Sequence, residues 1–159
     1  MDHCFPPIID QQAKILILGS LPGPQSLRAG QYYAHPQNKF WQLIFSVFSA
    51  PPLDDYQTRC EFLLQQRIGL WDVLKSADRE GALDNNIRNA VANDFPAFFV
   101  HYPELKRIIF NGRTAEKYFR QNYADLFRQM DHVCVLSSSP ACARADGIKE
   151  QNWRQALKL

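Results

Sequence analysis

Three short clusters in this chain have the composition of a binding site, and each follows directly on an aliphatic run. The first is Gly19-Ser20-Leu21-Pro22-Gly23, after Ile15–Leu18. Its glycines permit close approach of the backbone to a ligand, and equally a tight turn. It lacks the GK[ST] of a Walker loop and the GxGxxG of a dinucleotide-binding turn. The second is Asn111-Gly112, after Lys106–Phe110. A carboxamide carries one acceptor and two donors, enough to read a base edge, although Asn-Gly is also a common turn pair. The third is Ser137–Arg144. Ser138 and Ser139, followed by Pro140, offer donors for phosphate oxygens, and Ala141 to Arg144 make a small protrusion able to enter a groove. The plain alternative is a serine-capped turn. Cys142 stands near Arg144, a neighbour that lowers a thiol pKa. No histidine lies nearby in sequence, which argues against a cysteine nucleophile.

The elements that must position these clusters read as alternating strands and helices. Ile15–Leu18 is an uninterrupted aliphatic run bounded by glycine, the signature of a strand buried on both faces of a parallel sheet. A loop of roughly eighteen residues is expected after it, longer than ordinary strand-to-helix connections, and loops of that length are usually functional. Asn38–Phe48 has apolar residues at Phe40, Trp41, Ile44, Phe45 and Phe48, a helical spacing that Pro51 and Pro52 end. Asp54 or Asp55 can cap a second helix, Tyr56–Gln66. Ile68–Leu74 reads as a strand ending near Asp72. Lys75–Asn89 reads as polar loop with a helical turn or two. Asp94 and Pro96 open a short helix closed by Pro103. Lys106–Phe110 is a strand, Arg113–Tyr123 a helix behind it, His132–Leu136 the last strand and Ile148–Leu157 the closing helix. Residues 1–13 read as an irregular lead-in. The pattern predicts a three-layer α/β/α sandwich around a short, mainly parallel four-stranded sheet, in one domain spanning 1–159.

The totals describe an ordinary globular chain: 159 residues, 46% hydrophobic and 21% charged, with a formal net charge of +2 that does not announce a nucleic-acid binder. Residues 101–159 hold ten Lys/Arg against six Asp/Glu (10 − 6 = +4), and residues 1–100 eight against ten (8 − 10 = −2). That asymmetry permits a mildly basic face in the C-terminal part. No segment approaches the ~20 apolar residues of a membrane span, and Met1–Asp10 lacks a signal pattern. The four cysteines and four histidines are scattered without ligand spacing, so neither a metal nor a disulfide framework is expected.

Taken together, GSLPG (Gly19–Gly23), Ser26, YYAHPQNKFW (Tyr32–Trp41) and SSSPA (Ser137–Ala141) resemble the uracil-DNA glycosylase superfamily. There a GxxPG-type loop follows the first strand and an HPS- or PSxSP-type loop the last. GLWDVL (Gly69–Leu74), IFNG (Ile109–Gly112) and the opening motif are most similar to the hypoxanthine (deoxyinosine) DNA glycosylase branch, over nearly the whole chain. The mismatch-specific uracil and thymine glycosylases share the PxNxFW element and are its nearest competitor. Two departures stand in the final loop: Cys142 where the family often has Asn, and Leu136 where it has Pro.

The resemblance implies a monofunctional base-excision glycosylase that flips deoxyinosine out of DNA and hydrolyses its N-glycosidic bond by water attack. Relatives that place Asp or Asn at the third position of the first loop activate water there; Leu21 cannot. The implied catalytic group is Asn38, orienting water, against the plain alternative of a helix N-cap. Gly19, Ser20, Leu21, Pro22, Gly23, Tyr33, His35, Phe40 and Asn111 are implied to meet the base, with Tyr33 or Phe40 stacking on it and Trp41 left to the core. Backbone amides of Ser20 and Leu21 and the Asn111 carboxamide are the donors available to the leaving base. His35 before proline is as readily a turn residue. Ser26, Ser138, Ser139, Pro140, Ala141 and Arg144 are implied to face DNA. Asp72 reads as a capping or supporting acid. Lys39 points away if Asn38 points inward, so no Schiff-base lysine is expected. The expected partner is DNA containing deaminated bases, with no cofactor, no metal, no membrane, a monomeric chain and a cytoplasmic location. A catalytically inert nucleic-acid-binding module of the same fold is a further reading, to which Leu21 gives some weight.

Overall fold

A computed structural model describes residues 1–158. In chain order, β1 (Asp2–His3) and β2 (Ile15–Gly19) precede α1 (Pro24–Ala29), α2 (Phe40–Val47) and α3 (Tyr56–Gln65). Then come β3 (Ile68–Asp72), β4 (Leu74–Asp78), a 3-10 turn (Asp84–Asn86), β5 (Arg88–Ala92) and α4 (Phe95–His101). The chain ends with β6 (Arg107–Asn111), α5 (Arg113–Asn122), α6 (Ala124–Gln129), β7 (Asp131–Val135) and α7 (Asp146–Ala156).

The main sheet is parallel, four-stranded and ordered β3-β2-β6-β7. All five residues of β2 are buried, because helices cover both faces and successive side chains point to opposite sides. Ile15 and Ile17 pack with Phe40, Trp41, Ile44 and Trp153 of α2 and α7. Leu16 and Leu18 pack with Phe95, Phe98, Phe110 and Phe119 on the other face. These two cores make the expected three-layer sandwich. Trp153 locks α7 down by donating from Nε1 to the Leu136 carbonyl at 2.8 Å. Arg154 donates to the Ser46 and Val47 carbonyls at 3.2 and 3.1 Å, adding a cationic donor to the last carbonyls of α2.

Three expectations are corrected, and one helix is added. The long loop after β2 contains α1, with Pro24 in its first turn and Gly30 in a left-handed C-cap. The lead-in is partly ordered: β1 pairs antiparallel with β4, and Ile8 bridges Leu70. Residues 74–92 form an antiparallel hairpin, so a second sheet, β1-β4-β5, stands beside the first. Its strands carry Lys, Ser, Asp, Arg and Asn, poor strand formers whose pairing comes from tertiary context. Finally, α6 follows α5 directly. No helix among the described residues is long and apolar enough to cross a membrane. No group of three or more His, Cys, Asp or Glu is placed to share a metal ion among them.

Candidate active site

The carboxyl ends of β2, β3 and β6 and the loop after β7 open on one cleft of about 690 Å³, the position where open α/β sheets bind ligands. Gly19, ending β2, lies in register with Asp72, ending β3. A Cβ on Gly19 would fall 2.7 Å from Asp72 Oδ1 and 2.9 Å from Tyr33 Oη, so only glycine fits the cleft floor. Gly19→Ala should therefore cost about 1–3 kcal/mol of stability through overpacking, read as a lowered midpoint in thermal denaturation.

The first loop is scaffold. Ser20 Oγ donates to the Asp84 carboxylate at 3.2 Å, and Pro22 offers its carbonyl to Arg79. Leu21 is buried in the second core, and Gly23 is the residue that opens α1. Ser26 is also buried, and its Oγ accepts the Ala34 N–H at 3.1 Å. That hydroxyl oxygen closes the 26–34 segment, and Ser26 also lines the cleft.

Asn111 is a hub. Its Oδ1 accepts the Ser138 N–H at 2.9 Å, and Nδ2 donates to Ser138 Oγ at 2.9 Å and Tyr33 Oη at 3.1 Å. Both amide hydrogens are spent, so the bidentate reading of a base edge by Asn111 is corrected. Ser138 is 1% exposed and lines the cleft; its N–H and Oγ face Asn111, and its carbonyl accepts the Lys39 N–H at 2.9 Å. Gly112 has a φ of +95°, and a Cβ there would sit 3.1 Å from Ser137 Cβ. The strand end must therefore be Asn-Gly to let the final loop dock. That loop is held from below by Lys149, 3% exposed, whose Nζ donates to the Ser139 carbonyl at 3.3 Å. Ser139, Pro140, Ala141 and Cys142 line the cleft mouth, while Arg144 is exposed and lies off it. No histidine hydrogen-bonds Cys142 among the described residues.

Aromatic residues make one wall. Tyr33 lines the cleft and takes a left-handed backbone (φ +55°), unusual for a bulky residue. Its ring stacks on Phe40 with centroids 4.2 Å apart and planes 22° apart. Phe40 itself is fully buried and faces the core. Phe40 as a base-stacking residue is therefore corrected: it backs Tyr33, because its position on α2 points into the sandwich. His35 lines the cleft with its Nδ1 accepting the Gln37 N–H at 3.1 Å. It serves as a turn residue and still faces the site.

Asn38 sits at the cleft edge, just before α2. Its Oδ1 accepts the Phe40 N–H at 2.9 Å, and its own N–H donates to the His35 carbonyl at 2.9 Å. The cap bond leaves the carboxamide at the cleft edge. The helix fixes the carboxamide plane, and Nδ2 has no protein acceptor among the described residues. The neighbouring Lys39 ammonium turns to Asp146 at 3.7 Å. No lysine lines the cleft among the described residues.

The hairpin wall was not read from the sequence. Arg79, with a side chain 1% exposed, faces Asp84 at 3.6 Å and Asp2 at 3.7 Å. Asp72 is 3% exposed, and its Oδ2 has no hydrogen-bond partner. Burial first, then the nearby Asp84 charge, pushes the Asp72 carboxyl up to about 7, with Arg79 only partly opposing. Burial likewise raises Asp84 and Tyr33. The sole sequence signal was Asp72 at a strand end, a place where supporting acids are equally common.

A parallel-sheet cleft walled by Asn38, Tyr33 and a serine-rich final loop defines a class. The chain belongs to the uracil DNA glycosylase superfamily, whose family model matches residues 6–158. Among curated relatives it is similar to a protein named hypoxanthine DNA glycosylase from Methanosarcina barkeri, 40% identical over 157 residues, covering 97% of this chain and 96% of the relative. A second of that name, from Methanosarcina acetivorans, is 38% identical with the same coverage. A solution NMR structure from Methanosarcina acetivorans, provisionally described as a uracil DNA glycosylase, superposes with a TM-score of 0.85. It is 35% identical, with 98% of this chain and 96% of that chain covered.

Proposed function

We propose that this chain is a monofunctional DNA glycosylase that hydrolyses the N-glycosidic bond of deoxyinosine, releasing hypoxanthine. The observation that carries the substrate is full-length identity of 38–40% with relatives bearing that name. For the mechanism, what supports the reading is Asn38 pinned by α2 at the edge of a cleft large enough for a purine.

The nucleotide leaves the duplex at a cost of a few kcal/mol, least where it is mispaired. Tyr33 offers a rigid face for the base, stacking being worth about 1–3 kcal/mol. Asn38 does not titrate near neutrality, so it orients water by hydrogen bonding and does not remove a proton. The second lone pair on Oδ1 takes a water hydrogen while Phe40 N–H holds the first, which fixes the line of attack on C1′. With no lysine in the lining among the described residues, hydrolysis stops at the abasic site without a lyase step. DNA with deaminated bases is the partner, met by the exposed Pro140 and Ala141 at the cleft mouth and by Arg144 beyond it. The single domain spans 1–159, acts as a monomer without cofactor or metal, and belongs in the cytoplasm.

Incubation with oligonucleotides carrying one deoxyinosine, uracil or T·G site, followed by alkaline cleavage, tests the reading. Strand scission at deoxyinosine is expected. Scission confined to uracil or T·G would reassign the enzyme to mismatch-type uracil or thymine excision. Binding without scission of any substrate would make it an inert DNA-binding module.

A further inference from the structure

We propose that Asp72 is the acid of this site: in its neutral form it faces the flipped base and gives its proton to the departing purine as the C1′–N9 bond breaks. The assignment rests on the glycosylase reading above.

The geometry sets Asp72 apart from a structural carboxylate. It ends β3 directly beside Gly19, on the floor of the cleft whose edge carries Asn38. The fold makes no visible use of its carboxyl group. Asn93 Nδ2 donates at 2.8 Å to the Asp72 backbone carbonyl, not to its side chain. Oδ2 is buried with no partner, and no cation lies within ion-pair distance among the described residues, Arg79 being paired with Asp84 and Asp2. A buried carboxylate without partners is disfavoured as an ion, so the group keeps its proton to well above the usual carboxylate range. A site that keeps an acid neutral where a base must sit is arranged to donate.

Loss of a purine needs such a donor. When the C1′–N9 bond breaks, its electron pair goes to the base, and hypoxanthine departs as an anion unless a ring nitrogen is protonated. The Asp72 O–H supplies that proton. The water oriented by Asn38 forms the new C1′–O bond, and the proton it sheds returns the Asp72 carboxylate to its acid form. Only water is consumed.

The groups facing this carboxyl set the pH range. They are Asp84 and Arg79 from the β4–β5 hairpin, Tyr32 and Tyr33 from the segment before α2, and Cys4 from beyond β1. Burial dominates, and the acid titrates at about 7. Below that value it carries the proton; above it, the proton is gone.

Single-turnover excision of deoxyinosine, followed from roughly pH 5.5 to 9, tests the assignment, the usual contribution of a positioned acid being 10²–10⁴-fold. The wild-type rate should fall by up to about tenfold per pH unit above the titration point. Asp72→Asn should lose about 100-fold or more at the lower pH values and show no such fall, with affinity for deoxyinosine DNA nearly unchanged. A wild-type rate that is flat or rising across that range overturns the proposal without any variant. So does Asp72→Asn with wild-type rate and profile. In both cases the glycosylase reading stands. A wild-type protein inert on deoxyinosine overturns that reading, and this proposal with it. A merely structural role for Asp72 would leave the shape of the pH profile unmoved.

Discussion

Asn38→Ala will lower the single-turnover rate of deoxyinosine excision by about two to three orders of magnitude, the range seen when one preorganised polar group is removed from a reacting centre. Affinity for deoxyinosine DNA should change little, because the stacking wall at Tyr33 and the final loop do not depend on the carboxamide. The lost Oδ1 bond to Phe40 N–H removes a cap, for which a cost of about 1 kcal/mol is ordinary. The two effects separate cleanly. If Asn38 were only a cap, the melting temperature would fall and the rate per folded molecule would stay at the wild-type value. Kinetics corrected for folded fraction, beside a thermal melt, read both. Asn38→Asp is the informative companion, since it keeps the acceptor toward Phe40 while removing the two Nδ2 donors.

Asn111→Ala will destabilise the protein by about 2–4 kcal/mol, from a buried donor orphaned and a network of three bonds lost. The Ser138 N–H loses its only side-chain acceptor, and Tyr33 Oη loses the donor that fixes it. Chemical denaturation reads the stability. The second consequence is spatial: the final loop comes away from β6 and Tyr33 is released from the cleft wall, so excision falls further than the loss of folded protein explains. Ser138→Ala breaks one of the three bonds and should show a smaller version of both effects. An Asn111→Ala protein with wild-type stability would remove the hub from this description.

Much of this was legible in the chain itself. Ile15–Leu18, Ile68–Asp72, Lys106–Phe110 and His132–Leu136 are short aliphatic runs ended by Gly, Asp, Asn or Ser, and that punctuation sets the four parallel strands and their polar rim. Asn38 before an apolar helical stripe was legible as a cap, and the resemblance made it a candidate for more. Less legible were features that depend on distant partners. β4 is held by residues 2 and 3 and by β5, and its own Lys75-Ser76-Ala77-Asp78 carries no strand signal. Phe40 and Tyr33 are both aromatic in one motif, and only the rotation of α2 decides which faces the cleft. Asn111 and Ser138 advertise hydrogen bonding without saying that each is the other's partner. Asp72 reads in sequence only as a strand-end acid, because its environment comes from Tyr33, Arg79 and Asp84.

The small antiparallel sheet has a further consequence for motion. Its central strand β4 is anchored in the second core through Leu74 and Ala77, whereas β5 is exposed along nearly its whole length. An edge strand with so little buried area opens locally far more often than the molecule unfolds. Each opening would lift Arg79 and Asp84 from the cleft and let water reach Asp72, whose carboxyl would then behave as an ordinary surface acid. The strength of that acid is thus tied to the breathing of an edge strand, and backbone amides of residues 88–92 should exchange their hydrogens well before those of β2 and β6.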